Sequence, residues 1–570
     1  MFLKNEVLVT VMSLRSLVSS ALAAHTGQSE QDVEALLEVP PNPEMGDFAF
    51  PCFQLAKTLR KAPPQIAQEL AGKLTAPFVG TALGPYVNIR IDLPLLFEEV
   101  LSAITDTIFL PTATLEIICV ESPSPNTNKP LHLGHVRNML LGNAIVELLK
   151  RRGHEVKRLD LVNDRGVHIC KSMLAYERAG RNDTPESTGL KGDHFVGKYY
   201  VEYSQAEKEN PALEQEAQAM LQKWEAGDEH VRALWEKMRT WCLDGMTSTY
   251  RDFGVAHHTI DYESDIYLLG KEIVEHGKTA SVFIEDEKGA FYADTPVGPK
   301  YVLRADGTSI YVTQDIALAK LRFERFGMDR LVYIVGSEQI HHFKALFSIF
   351  DQLKLPFGKN CLHLAYGMIY LPEGKMKSRE GTVVDADDLR LEMIRMAHEE
   401  VARRSPELSA DSVQKRAVAI AMGALKFYIL KFNPTQDMTY DPAESISFAG
   451  ETGPYVQYTY ARLSSILRKA GTVPNAVDYS VLTHDFERQI ALKLAQWREV
   501  FVAAADAYRP SLVCSYLVEL AQLTNTYYHD VPVLTADDVT KNARLFLMDA
   551  IRTTIKDGLS TLGIDILDEM

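Results

Sequence analysis

The sequence predicts an α/β protein of several domains: a parallel-sheet domain with insertions, preceded by an α+β block and followed by an all-helical bundle. Three observations carry this. A strand–helix–strand unit spans residues 114–162, strand-like pieces return after a charged helical stretch at 171–260, and from about 385 the apolar spacing is nearly all helical. Strand–helix–strand units favour parallel sheets with right-handed crossovers. The 570 residues exceed what one core holds. The expected units are 1–110, 111–385 and 386–570.

The opening "MFLKNEVLVTVMSLRSLVSSALAAHTG" has the look of a signal peptide, but Glu6 and Arg15 interrupt its apolar run. Its Leu and Val spacing fits an amphipathic helix, so it is read as structural. The first block ends in "TALGPYVNIRIDL", a turn and a strand that places Tyr86 and Asn88 on one face. Tyr stacks on unpaired bases and Asn reads base edges, although alternation alone would give half-buried sheet. "TLEIICVES" (114–122) is β-branched and apolar, a buried strand. The loop "PSPNTNKP" leads to "HVRNMLLGNAIVELLKRR", apolar at 136, 139, 140, 145, 148 and 149, the period of a helix. Gly153 follows its basic end as a C-terminal cap, and "HEVKRLDLV" is the next strand. The basic run "LKRRGHEVKR" suits a helix C-terminus electrostatically and is read as structural. The stretch 171–260 reads as a helical insertion; "ASVFIED", "AFYAD", "KYVLRADGTSIYVT" and "RLVYIVGSEQ" return to strand. "PEGKMKSREGTVV" is a turn-rich loop. In the helical C-terminal region, Tyr527 and Tyr528 are core or stacking residues, with core favoured for at least one.

Composition narrows the class. Hydrophobic content of 46% and charged content of 24% belong to a soluble globular chain, and no apolar run approaches the ~20 residues that span a bilayer. Cys52, Cys119, Cys170, Cys242, Cys361 and Cys514 form no CxxC pair. That argues against a structural zinc site or a disulfide framework and suits a reducing cytoplasm. With a formal net charge of −16, any nucleic-acid contact must use local basic patches and shape.

Chemistry concentrates at "HLGH". A helix N-terminus offers unpaired N–H groups and partial positive charge, which favours phosphate. His132 and His135 at that end can donate to phosphate oxygens, and Gly134 leaves room for a flat ring on the backbone. This suits ATP, with the imidazoles stabilising charge that develops at the α-phosphate. With 16 His and 33 Gly in the chain, chance yields roughly 0.03 such matches. Lys375 in "GKMKSREGT" can reach phosphates as a point charge. Tyr311 and Asp315, four apart, share a helical face where an aromatic ring and a carboxylate can hold a guanidinium. No cage of metal-ligating side chains is visible.

"HLGH" followed by "KMKSR" resembles the HIGH and KMSKS motifs of class I aminoacyl-tRNA synthetases. "ESPSPNTNKPLHLGHVRN" is similar to the arginyl form, as are "DGTSIYVTQDIALA", "YIVGSEQIHHF", "SFAGETGPYVQYTYAR" and the terminal "LSTLGIDILDEM". The resemblance implies a Rossmann-like catalytic domain, an N-terminal tRNA-contacting domain and a helical anticodon-binding domain. It implies that arginine and ATP give arginyl-adenylate, with Mg²⁺ carried on the ATP phosphates, and that the arginyl group then passes to the 3′ end of tRNA(Arg). It further implies that tRNA is bound before activation. The matching positions give His132, His135, Lys375 and Lys129 for catalysis, and Gly134, Gly336, His341, His342, Met376 and Ser378 for ATP. They give Ser124, Asn126, Glu263, Tyr311, Asp315 and Gln339 for arginine, and Tyr86 and Asn88 for tRNA. Glu263 competes with an exposed loop carboxylate as its reading. Ser378 stands where the motif has its second lysine, and Lys129 is the candidate to replace that charge. By analogy the family member would be a monomer. A small-molecule nucleotidylyltransferase and a non-catalytic RNA-binding relative are the alternatives; the Tyr311–Asp315 pair and chain length weigh against the first, and His132, His135 and Lys375 against the second.

Overall fold

The computed structural model describes residues 14–104, 107–180, 182–305, 310–372, 384–471 and 477–570. In the N-terminal unit, β1 (Phe48–Pro51), β2 (Phe78–Leu83) and β3 (Tyr86–Ile91) form an antiparallel sheet in the order β1-β3-β2. Val87, Ile89 and Ile91 alternate into the core, where the helices Leu14–Thr26, Pro63–Ala71 and Leu93–Ser102 bury their apolar faces. Leu14–Thr26 is the second half of the helix expected for the opening stretch; its first half lies outside the described residues.

The central sheet begins with β4 (Ile117–Glu121), β5 (Glu155–Val162) and β6 (Thr259–Tyr262). Ile117, Ile118, Cys119 and Val120 make β4 the apolar kind of strand that is covered on both faces. Between β5 and β6 run the helices Val167–Ala179, Pro185–Thr188, Gly192–Glu209, Leu213–Glu225 and Glu229–Asp252, the expected insertion. β7 (Ile284–Glu285), β8 (Phe291–Ala293) and β9 (Lys300–Leu303) make a small separate antiparallel sheet. From Tyr311 the chain is helical to Phe326 rather than strand, because Val312, Ile316, Ala317 and Ala319 bury one helical face. β10 (Arg330–Gly336) and β11 (Cys361–Tyr366) complete a five-stranded parallel sheet, β11-β10-β4-β5-β6. Chain order reverses between β4 and β10. In such sheets ligands bind outside the carboxyl ends of the strands at that reversal. β12 (Ile369–Tyr370) then pairs in parallel with β13 (Met438–Thr439), apart from the main sheet.

The helix Leu133–Arg151 connects β4 to β5 and is buried on nearly every side. One side lies on the sheet; the other meets the helices Ala386–Arg404, Ala410–Leu430, Trp497–Asp506 and Asp538–Thr561. Gly153 follows its end at φ +85°, as a helix stop requires. The basic residues there are structural: Arg151 is buried, with Nη1 2.6 Å from Asp557 Oδ1 and 3.0 Å from Thr561 Oγ1 on the last helix. The bundle is tied to the N-terminal sheet by Arg488, whose Nε donates to Asp47 at 3.0 Å and whose Nη2 donates to the Ile91 carbonyl at 2.7 Å. Tyr527 is core, its hydroxyl donating to Glu487 at 3.1 Å, while Tyr528 lies half-buried under Arg462. No helix among the described residues is long and apolar enough to cross a membrane.

Candidate active site

His132 is the N-cap of the helix Leu133–Arg151. Its Nδ1 accepts from the Gly134 N–H at 3.1 Å, and the His135 Nδ1 accepts from the His132 N–H at 3.1 Å. The two imidazoles thus act as the reciprocal caps that Ser and Glu usually provide. Their rings sit 3.9 Å apart. A Cβ on Gly134 would lie 2.9 Å from the His132 ring, so the flat ring that Gly134 admits is that of His132 itself. Burial, then the nearby charge of Lys129, pushes His132 down to about 4; burial, His132 and Lys129 push His135 well below the usual histidine range. Both are neutral near pH 7. Since each Nδ1 accepts, each neutral ring carries its proton on Nε2 and presents one N–H donor.

This sets a pH dependence. In the unfolded chain His132 binds a proton as pH falls through about 6.5; folded, it does so only near 4. Between those values the unfolded state holds more protons, so stability falls as pH drops from about 6.5 toward 4. His132→Asn should flatten part of that decline in denaturant midpoints measured from pH 7.5 to 4.5. An unchanged slope would place the His132 pKa near its free value.

The loop before the helix leaves the carboxyl end of β4. Ser124, at φ +59°, donates its N–H to Asp160 Oδ1 at 2.8 Å and its hydroxyl to Glu121 at 3.2 Å. Asn126 bridges Asn163 beyond β5, and the Thr127 N–H reaches the Asn163 carbonyl at 3.1 Å. Asn138 joins the helix to the sheet, accepting from the Ser122 hydroxyl at 2.6 Å and donating to the Ile334 carbonyl at 2.7 Å. These bonds fix the loop holding Ser124, Asn126 and Lys129 against the histidine pair.

Across the sheet reversal, Tyr311 and Asp315 lie on the first turns of the helix Tyr311–Phe326. Tyr311 is 61% exposed; partial burial and then the charge of Glu263 raise its pKa. Glu263 is buried rather than an exposed loop carboxylate, at the start of a short helix after β6 and 3.5 Å from Arg165 Nη1. Burial pushes its carboxyl up to about 7, Arg165 opposes this, and the charges of Asp164 and Asp315 add to it. Glu121 is held up by burial as well, against Arg322, with Asp315 again contributing. Asp315 thus acts on two buried carboxyls, each of which already faces an arginine. Behind them the fully buried Arg322 pairs with Glu121 and, at 2.9 Å, with Asp261. Asp160, Arg165 and Arg322 carry no motif signal, and no role is read from Glu121, which heads "ESPSPNTNKPLHLGHVRN". His168 was not expected either; burial, then Lys129 and Lys171, lower it to about 4, and its buried Nε2 makes no hydrogen bond to the described residues.

Gly336 ends β10 and Gln339 and His341 follow it, both exposed at the crevice. The His342 Nε2 lies 2.9 Å from Asp315 Oδ2. Asn88, on the central strand of its sheet, is 5% exposed and shares its face with Tyr86 and the exposed Arg90. Tyr86, half-buried, stands edge-on to the exposed Phe53 ring at 5.8 Å. Lys375, Met376 and Ser378 lie outside the described residues. Asp193, His194 and Asp387 cluster closely enough to hold an ion, but Lys191 Nζ lies among them, 3.2 Å from Asp193 and 2.5 Å from Asp387, and already supplies a cation.

Three family models match the chain: the arginyl-tRNA synthetase N-terminal domain over 12–91, the catalytic domain of class I tRNA synthetases (R) over 104–441, and the DALR anticodon-binding domain over 456–570. The arginine–tRNA ligase of Parabacteroides distasonis is 40% identical over 560 residues, 92% of this chain and 94% of that protein. That of Bacteroides thetaiotaomicron is 40% identical over 97% of this chain and 98% of its own. Among solved structures, Thermus thermophilus arginyl-tRNA synthetase superposes with a TM-score of 0.83 at 27% identity, covering 98% of this chain and all of that one.

Proposed function

The chain belongs to the arginyl-tRNA synthetase family and carries the activity of an arginine–tRNA ligase, and on that premise we propose how its residues divide the work. The arginine guanidinium enters between the Tyr311 ring and the carboxylates of Asp315 and Glu263. Asn126, the Ser124 carbonyl and Gln339 hold the α-ammonium and carboxylate. ATP lies at the sheet reversal as its Mg²⁺ complex, with Gly336 and His341 toward the ribose. The arginine carboxylate oxygen attacks the α-phosphorus; the bond to the bridging oxygen breaks and pyrophosphate leaves. The Nε2–H groups of His132 and His135 donate to the phosphate oxygens as charge builds, and Lys129 and Lys375 supply positive charge from two sides. The arginyl group then passes to the 3′-terminal adenosine of tRNA. No covalent enzyme nucleophile takes part; catalysis is positioning and preorganised electrostatics.

The observation that carries this reading is the pair of neutral histidines whose Nδ1 atoms are used by the backbone. It favours two N–H donors aimed at phosphate over a general base. Single-turnover adenylation, with tRNA present, tests it. His132→Asn and His135→Asn should each slow the step by about 10²- to 10³-fold, the scale of one lost oxyanion donor, with arginine affinity little changed. Rates near the parent's for both would refute the assignment.

On the RNA side, Tyr86 beside Phe53 forms a stacking platform. Tyr86→Ala should lower kcat/KM for tRNA by roughly 5- to 150-fold, as ~1–3 kcal/mol of stacking implies, leaving KM for arginine and ATP unchanged; an equal rise in all three would show misfolding instead. The six free cysteines, five of them buried, support residence in a reducing cytoplasm, and the protein works as a monomer.

A further inference from the structure

Arg137 stands two residues after His135 and is fully buried. Its donors go to backbone carbonyls on two distant segments. Nη1 reaches the Gly367 oxygen at 2.7 Å; Nη2 reaches those of Gln436 at 2.8 Å and Pro434 at 3.1 Å. A guanidinium presents a rigid fork of donors, and here the fork spans the entrance to the β12–β13 pair, where Ile369 meets Met438 and Tyr370 meets Thr439. The same segments are joined by the Gly367 N–H to the Pro434 carbonyl at 2.9 Å and by the Met368 N–H to Asp437 Oδ1 at 2.7 Å. The approach is close: a Cβ on Gly367 would lie 2.3 Å from the Gln436 backbone. β12 leads to residues 373–383, which include Lys375. The chain after that stretch is held by the same helix end, through the Leu133 N–H to the Val384 carbonyl at 3.0 Å and the Ala386 N–H to the Leu131 carbonyl at 2.9 Å.

We propose that Arg137 is a positioning residue for adenylation: it registers the strand that leads to Lys375 against the helix end that carries His132 and His135. It holds the start of that strand, 230 residues on from Arg137, in one register to the helix end. The proposal rests on the reading that Lys375 acts on the phosphates.

A double-mutant cycle tests it, with single-turnover adenylation in the presence of tRNA as the readout. Arg137→Lys keeps the charge but loses the fork, and should slow adenylation by about 10²-fold, the scale of a small misplacement, with KM for arginine little changed. Asp437→Ala removes an exposed acceptor of the same strand and should give a smaller loss of the same kind in a well-folded protein. In a Lys375→Ala background both losses should shrink to about 2-fold or less, because residues acting through one group are not additive. If Arg137→Lys does not fold, the Asp437 cycle decides. Losses that multiply in full with Lys375→Ala would overturn the role of Arg137 alone. A Lys375→Ala protein with the parent's rate would instead remove the reading of Lys375, and this proposal with it.

Discussion

Lys129→Ala is expected to slow arginyl-adenylate formation by about 10²-fold or more, the cost of one missing charge-stabilising contact at a water-poor centre. Lys129 is only part-buried, yet its charge acts on His132, His135 and His168. The ammonium therefore belongs to the histidine side of the phosphate site. Ser378 occupies the place where the motif has its second lysine, so the positive charge that place would give must come from elsewhere. Arginine affinity should change little, because the proposed guanidinium partners Tyr311 and Asp315 lie on another helix. Ser378→Lys in the Lys129→Ala background should recover part of the rate. Lys129→Ala alone should let the His132 pKa rise from about 4, which NMR titration can follow. A Lys129→Ala protein with the parent's single-turnover rate would leave the histidines and Lys375 as the whole phosphate machinery.

Asp315→Asn should produce a loss of similar or greater size, confined to arginine. Removing the charge from one partner of a desolvated ion pair costs roughly 2–5 kcal/mol, or a 30- to 5000-fold fall in kcat/KM. Asp315 sits with Glu121 and Glu263, whose carboxyls burial holds up. Glu121 and Glu263 already face Arg322 and Arg165, so the proposed guanidinium partner among the three is Asp315. Asp315 is paired with His342 in the free protein, so arginine must compete with that contact. KM for ATP, measured with saturating arginine, should stay within a few-fold of the parent's. Near-parent use of arginine would show that Asp315 serves His342 rather than substrate.

The sheet, the helix after "HLGH" and the helical insertion were legible in the sequence because each is written in local spacing. So were the two histidines, since a helix N-terminus and its imidazoles are neighbours in the chain. What was not legible depends on residues far apart. Arg322 meets Glu121 across 201 positions and Asp261 across 61. Neither partner announces the other, and only the fold brings the acidic floor of the pocket together. Tyr311 and Asp315 could be read as one face of a helix, but the pairing of Asp315 with His342, 27 residues on, could not. Asn88 shows the converse limit: alternation places it opposite Val87 and Ile89, on the face where Thr81 and Arg90 are exposed, but does not say how far its own neighbours crowd it, which is to 5% exposure.

The contact between Arg151 and Asp557 has a consequence for how the chain is made. The two residues are 406 positions apart, so a ribosome adding 5–20 residues per second completes Asp557 roughly 20 to 80 s after Arg151. Throughout that interval the basic end of the histidine helix has Glu147, one turn back, but not its buried partner, and a guanidinium meant for burial stays partly in water. The helix therefore cannot settle between the sheet and the bundle until synthesis is nearly finished. Nascent chains stalled before the last helix should hold their active-site helix loosely and be cut there by protease, while full-length chains resist.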